Sequence, residues 1–138
     1  MKRITATTLL TLLGIFAVGN SLAQSHEVRA SVPFAFTAGN KILPAGDYSI
    51  TPVSEGTIQI RNRDNGIAVL ALAHANSNLS KNGAELVFDK YADQYFLRHI
   101  LSNSNAMNMD LPAPKSETQA RMQEARVQNA SQVLIAAK

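Results

Sequence analysis

Residues 28 to 36, VRASVPFAF, set Val28, Ala30, Val32, Phe34 and Phe36 on one face of an extended chain and Arg29, Ser31, Pro33 and Ala35 on the other. An apolar residue at every second position is the signature of a half-buried strand, because successive side chains of a strand point to opposite faces. Pro33 has no amide hydrogen to give to a ladder, so this strand is expected at a sheet edge or with a bulge at that point. The same two-residue rhythm recurs along the chain and limits the fold more than any other feature.

Turn signals separate the repeats. Ala38-Gly39-Asn40 and Pro44-Ala45-Gly46-Asp47 flank Ile42-Leu43, and a second strand runs from Tyr48 through Ile50 until Pro52 and Gly56 close it. Thr57 to Arg61 alternates again. Asn65-Gly66 then gives the sequence signature of a type I′ hairpin turn, in which both central residues take positive φ. The run IAVLALAHA, 67 to 75, is apolar at both alternate sets except for His74, which predicts a strand covered on both sides. Residues 84 to 89 and 94 to 101 form two more strands around Lys90-Tyr91-Ala92-Asp93, with Leu86 and Phe88 on one face of the first and Tyr95, Leu97, His99 and Leu101 on one face of the second. AMNMDL, 106 to 111, fits a last short strand.

Beyond Pro112 and Pro114, Ser116 with Gln119 three residues later forms a capping-box pattern, and no Gly or Pro interrupts residues 117 to 137. Glu117 and Arg121 make an i,i+4 pair, and Ala120, Val127, Ala130, Leu134 and Ala137 a thin apolar stripe. The helix is expected to dock through its VLIAA end, or to serve as a partner-binding arm.

The chain opens MKRITATTLLTLLGIFAVGNSLAQS, with Lys2 and Arg3 before an apolar run from about Ile4 to Val18 and the small-residue ending Ser21-Leu22-Ala23. This is the pattern of a secretory signal peptide cut after Ala23, and the run is too short and threonine-rich to span a bilayer comfortably. Lys2 and Arg3 supply two of the 13 basic residues, so the processed chain carries 11 against 10 acids. The only basic cluster, Arg61-Asn62-Arg63, is followed at once by Asp64, and a nucleic-acid partner is not expected. There is no cysteine, so a fold in an oxidising compartment must rest on apolar packing and backbone pairing alone.

VFDKYADQYFLRHI, 87 to 100, is the most chemically crowded stretch. Asp89, Asp93 and His99 invite a metal-site reading. Their spacing matches neither a calcium loop nor a zinc pattern, and acids beside a tight connection are ordinary turn chemistry. His74 is expected as a buried neutral imidazole, and His26 lies near the new N-terminus. Motifs for a nucleophile elbow, a P-loop, a dinucleotide site, HExxH or CxxC are absent.

The segments VPFAFTAGNKILPAGDY, 32 to 48, and LVFDKYADQYFLRHI, 86 to 100, with the LP-x-x-K-S-E pattern at Leu111 to Glu117, resemble a group of small exported proteins common in acidobacterial genomes. The resemblance implies export and a β-rich fold, and it transfers no activity. The group favours Gly where this chain has Ala92, which implies a turn here without positive φ.

The resulting expectation is a signal peptide over 1–23, an antiparallel β domain over 24–115 and a C-terminal helix over 116–138. The β domain is expected as a sandwich or small partly open barrel of six to seven strands. The protein is read as a secreted or periplasmic, non-catalytic binding or envelope-structural module with a protein partner and no cofactor, metal or transmembrane segment after cleavage. Its expected contact residues are Val32, Phe34, Phe36, Tyr91, Val127 and Leu134. Two alternatives stand beside it: a carrier of an apolar ligand inside the β domain, and a hydrolase with a site near His74 or His99.

Overall fold

The computed structural model describes residues 26–102, 107–126 and 130–138. The expected cleavage point after Ala23, and Val127, lie outside them.

Two mainly antiparallel sheets form a sandwich that approaches a partly open barrel. The first has the order β1 (Val28–Val32), β4 (Gly46–Ser54), β5 (Thr57–Asn62), β6 (Ala68–Leu72). The second runs β11 (Ala130–Ala137), β8 (Ala84–Tyr91), β9 (Gln94–Leu101), β10 (Met109–Asp110), β7 (His74–Ala75). A hairpin of β2 (Phe36–Ala38) and β3 (Lys41–Leu43) joins it through a parallel contact of Thr37 with Phe96. The sheets meet at two corners. At one, β6 and β7 are a bent continuation of each other through Ala73, pairing first with β5 and then with β10. At the other, Arg29 of β1 and Lys138 exchange backbone bonds of 2.9 and 2.8 Å.

The alternating residues fill the space between the sheets. Val28, Ala30 and Val32 face Tyr48, Ile50, Ile58 and Ile60 on their own sheet and Leu86, Phe88, Leu97 and Ile100 on the other. Phe36 packs edge-on against Tyr48 and Phe88, and Phe34 stacks on Tyr95 with ring centroids 3.9 Å apart. Pro33 ends β1, so the expected single strand 28 to 36 breaks there and its second half crosses to the other sheet.

Several expectations change. The Asn65-Gly66 hairpin forms, yet only Gly66 has positive φ (74°). The amide of Gly66 reaches the Asn62 carbonyl and that of Asn62 the Ile67 carbonyl, a longer loop than the two-residue turn. The buried Asn62 side chain explains this, since its Oδ1 accepts from the amides of Asp64 and Asn65 and captures the chain before a tight turn can close.

At the β8 to β9 turn, Ala92 does take positive φ (52°), contrary to expectation. Positive φ brings the Cβ of an L-residue against its own backbone, a conformation that glycine takes freely. An alanine in this region costs about 1 kcal/mol relative to glycine. Ala92→Gly is therefore expected to raise the unfolding free energy by about 1 kcal/mol, read by urea denaturation. No change would show that the turn is unstrained.

One helix near the C-terminus is present, as expected, but it is short. It spans Lys115–Glu124 (α1), follows Pro114 at its N-cap and has no side-chain cap, so Ser116 lies inside the first turn. Residues 130 to 137 are not helical. They form β11, an eight-residue ladder along β8 from Ala130 against Tyr91 to Ala137 against Ala84. Val133, Ile135 and Ala137 turn toward the core while Gln132, Leu134 and Ala136 face outward. β-branched residues at two-residue spacing suit a strand, and β8 would otherwise expose its ladder edge.

Candidate functional site

Three places concentrate chemistry or bare apolar surface. The first is β6. Its sequence AVLAL is uncharged and free of Pro and Gly, and alternate residues differ sharply in exposure. Ala71 is buried, as is Ala73 beyond the strand end, and Gly39 of the β2 to β3 turn lies against Ala71, so the inner side of β6 is filled by that hairpin. The outer side is not covered: Leu70 and Leu72 are 64 and 65 % exposed. The prediction of cover on both sides fails here, because an all-apolar strand reads alike whether buried or bare.

β6 is also an edge. Among the described residues it pairs only with β5, Ile58 against Ala71 and Ile60 against Val69. The bonds at its two ends, Asn62 amide to Ile67 carbonyl (2.8 Å) and Ala73 amide to Gly56 carbonyl (3.0 Å), show that odd-numbered residues face β5. Antiparallel ladders alternate, so the amides and carbonyls of Ala68, Leu70 and Leu72 point away from the sheet. Past Ala73 an open groove of about 500 Å³ begins, lined by Pro52, Val53, Glu55, Ala73, His74 and Met109.

The second place is a polar row across β7, β10 and β9, where His74 lies opposite Asp110 and Asp110 opposite His99. His99 Nδ1 is 2.6 Å from Asp110 Oδ1, which also accepts from Asn76 Nδ2 at 2.6 Å. Partial burial pushes the Asp110 carboxyl up, but the bonds from His99 and Asn76 outweigh it and hold it below the ordinary aspartate range. His74 is exposed rather than buried, because β7 is the outermost strand of its sheet. His99 shares the outward face with Arg98, and not the inward face of Tyr95 and Leu97. The register shift between Val87 and Phe88 makes Arg98 the extra residue of a bulge and reverses the alternation.

The third place is a charged layer under α1. Arg98 reaches Glu117 at 3.3 Å and Asp89 at 3.8 Å, and Asp89 accepts from Gln132 at 3.0 Å. Glu117 is 3 % exposed, and burial pushes its carboxyl up, with Arg98 only partly offsetting this. Its carboxylate thus goes to Arg98 of β9. Tyr91, with Phe96 and Ala120, fills the rest of the contact between α1 and the sheet.

The acids and imidazole of residues 87–100 do not converge. Asp89 lies in the charged layer, Asp93 is exposed at the turn and His99 sits beside Asp110. No group of three or more His, Asp or Glu among the described residues is placed to hold a metal ion. Of the expected contact residues, Val32 and Phe36 are core, Tyr91 is buried under the helix and Phe34 is partly buried against Tyr95. Their alternation marked the inner face of a strand. Leu134 is exposed, on β11. Leu70, Leu72 and Asp110 were not anticipated, although the apolar run at 67 to 75 and the short strand at 106 to 111 carried the signal for them.

No family model, curated protein or solved structure matches the chain. No helix among the described residues is long and apolar enough to cross a membrane.

Proposed function

We propose that this is an exported, non-catalytic protein-interaction module of the cell envelope, secreted or periplasmic, which takes an additional strand onto β6. Membership of the acidobacterial group, to which segments 32–48 and 86–100 point, is part of the same proposal. The observation that carries it is the uncharged outer edge of β6, which no described strand pairs, with Leu70 and Leu72 bare on its outer face. Folded proteins usually protect such an edge with a charge, a Pro, a bulge or a covering segment. An extended partner would gain main-chain bonds from Ala68, Leu70 and Leu72 and apolar contact from the two leucines.

Leu70→Pro tests this without breaking the sheet, because the amide it removes points away from β5. Tagged processed chain recovered from its native envelope is expected to bring down a partner that the Leu70→Pro chain loses, with the unfolding free energy changed by no more than about 1 kcal/mol. Equal recovery of the same partner by both would contradict the reading.

The carrier reading has one observation in its favour, the open groove beside His74. The space between the sheets is occupied by large side chains such as Tyr48, Phe88 and Phe96. For a hydrolase, Asp110 supplies an acid to His99, yet among the described residues His99 has no hydroxyl partner.

A further inference from the structure

Resting on the reading of β6 as a strand-accepting edge, we infer that its occupant is a second copy of this chain, paired antiparallel about a twofold axis through Leu70. A twofold interface sets each residue against a residue of the same strand, so any charge within β6 would meet a like charge or a bare apolar neighbour. β6 contains none. The outward-facing residues fall in a self-complementary register: Leu70 lies opposite its own mate and Ala68 opposite Leu72 of the mate. These are all ladder-bonded positions, offering up to about six backbone bonds. Leu70 and Leu72 of the two copies then form one continuous apolar ridge on the outer face.

The flanking charges favour one direction. Exposed Arg61 and Arg63 stand at the Ala68 end of β6, beside the β5 to β6 turn, where Asp64 offsets one of them and a net positive charge remains among the three, and exposed Glu55 stands at the Leu72 end, beside the β4 to β5 turn. Antiparallel pairing carries the arginines of each copy toward Glu55 of the other. Parallel pairing would set arginine against arginine and glutamate against glutamate. The two sheets would merge into one eight-stranded sheet, β1-β4-β5-β6 followed by its twofold image. An edge-only contact buries little surface, so the dimer is expected to depend on protein concentration.

The absence of cysteine makes the test clean, since a single introduced thiol can pair only with the same thiol of another copy. Opposed ladder-bonded residues have Cα atoms about 5.5 Å apart, within the range a disulfide spans. In the proposed register Leu72 is about 14 Å from its own mate. Leu70→Cys, Leu72→Cys and, as an exposed control on another strand, Leu134→Cys would be oxidised with copper phenanthroline while dimer is followed on non-reducing gels. Leu70→Cys is expected to form covalent dimer at least tenfold faster than either other variant, and sedimentation equilibrium of the unmodified chain is expected to show dimer that Leu70→Pro abolishes. Equal rates for the three thiols, or an unmodified chain that stays monomeric up to about 0.5 mM, would overturn the second-copy inference. If Leu70→Pro still lost an envelope partner in that case, strand addition at β6 would stand and only the identity of the occupant would fall.

Discussion

Replacing Phe88 with alanine is expected to lower the unfolding free energy by about 3–5 kcal/mol, the largest single loss the core should show. Phe88 is 0 % exposed and lies where the aromatic side chains of both layers meet. Its ring contacts Phe34 and Phe36 edge-on, each with centroids 5.3 Å apart. Deleting it removes the burial of a large ring, leaves a cavity and strips both neighbours of a partner at once. A domain of this size is typically stable by only about 5–15 kcal/mol, and no disulfide limits the freedom of the unfolded chain here. Urea denaturation of Phe88→Ala against the parent measures the loss. A change below about 1 kcal/mol would mean that the two sheets are not packed through this ring.

Arg98→Ala is expected to cost about 3 kcal/mol at neutral pH. Glu117, on the buried face of the first turn of α1, has the Arg98 guanidinium 3.3 Å away, and removing the cation leaves a buried carboxylate without its partner. The effect has a defined pH dependence. Burial holds the Glu117 carboxyl above its ordinary value of 4.5 in the folded state. A group whose folded pKa is raised adds stability below its unfolded pKa and loses it as pH rises through the folded value. Without Arg98 the folded value rises further, so the penalty should be full near pH 8 and small near pH 4. The double variant Arg98→Ala with Glu117→Gln should recover most of the loss, because no buried charge is then left alone. Asp110 acts in the opposite sense and in a different window. Its folded pKa is lowered, so its contribution is lost only as pH falls below 3.8, and the two groups can be separated in one titration of stability. A penalty for Arg98→Ala that stayed constant between pH 4 and 8 would show that Glu117 is not the group at stake.

What the sequence disclosed and what it hid follow from range. Alternation is local, so the strands at 28–32, 57–62, 84–91 and 94–101 could be recognised from the order of their own side chains. Asn62 and Gly66 show the limit of that view: the hairpin was legible, but its length was set by a side chain capturing the amides that follow it. The bulge at Arg98 left no local mark, and it moved His99 off the face it was expected to share with Tyr95 and Leu97, to the outer one beside Asp110. β11 was hidden for a different reason. Ala130, Leu134 and Ala137 fit a helical stripe while Val133, Ile135 and Ala137 fit a strand, and the choice is made by β8, whose Asp89 lies 43 positions from its bonded partner Gln132. The candidate surface was missed because apolar content does not say which side of a strand is covered. Leu70 and Leu72 lie bare because no described element covers the outer face of β6, and its ladder is open because β6 ends its sheet; both are set by tertiary placement and not by local sequence.

β6 has one bonded side and, among the described residues, one open side, and amide hydrogen exchange in the dilute chain measures this residue by residue. Slow exchange at Val69, Ala71 and Ala73 with fast exchange at Ala68, Leu70 and Leu72 is the predicted pattern. Raising the protein concentration should then slow the second set to match the first. Uniform protection of all six amides in dilute solution would contradict the account, since the edge would already be covered within a single chain.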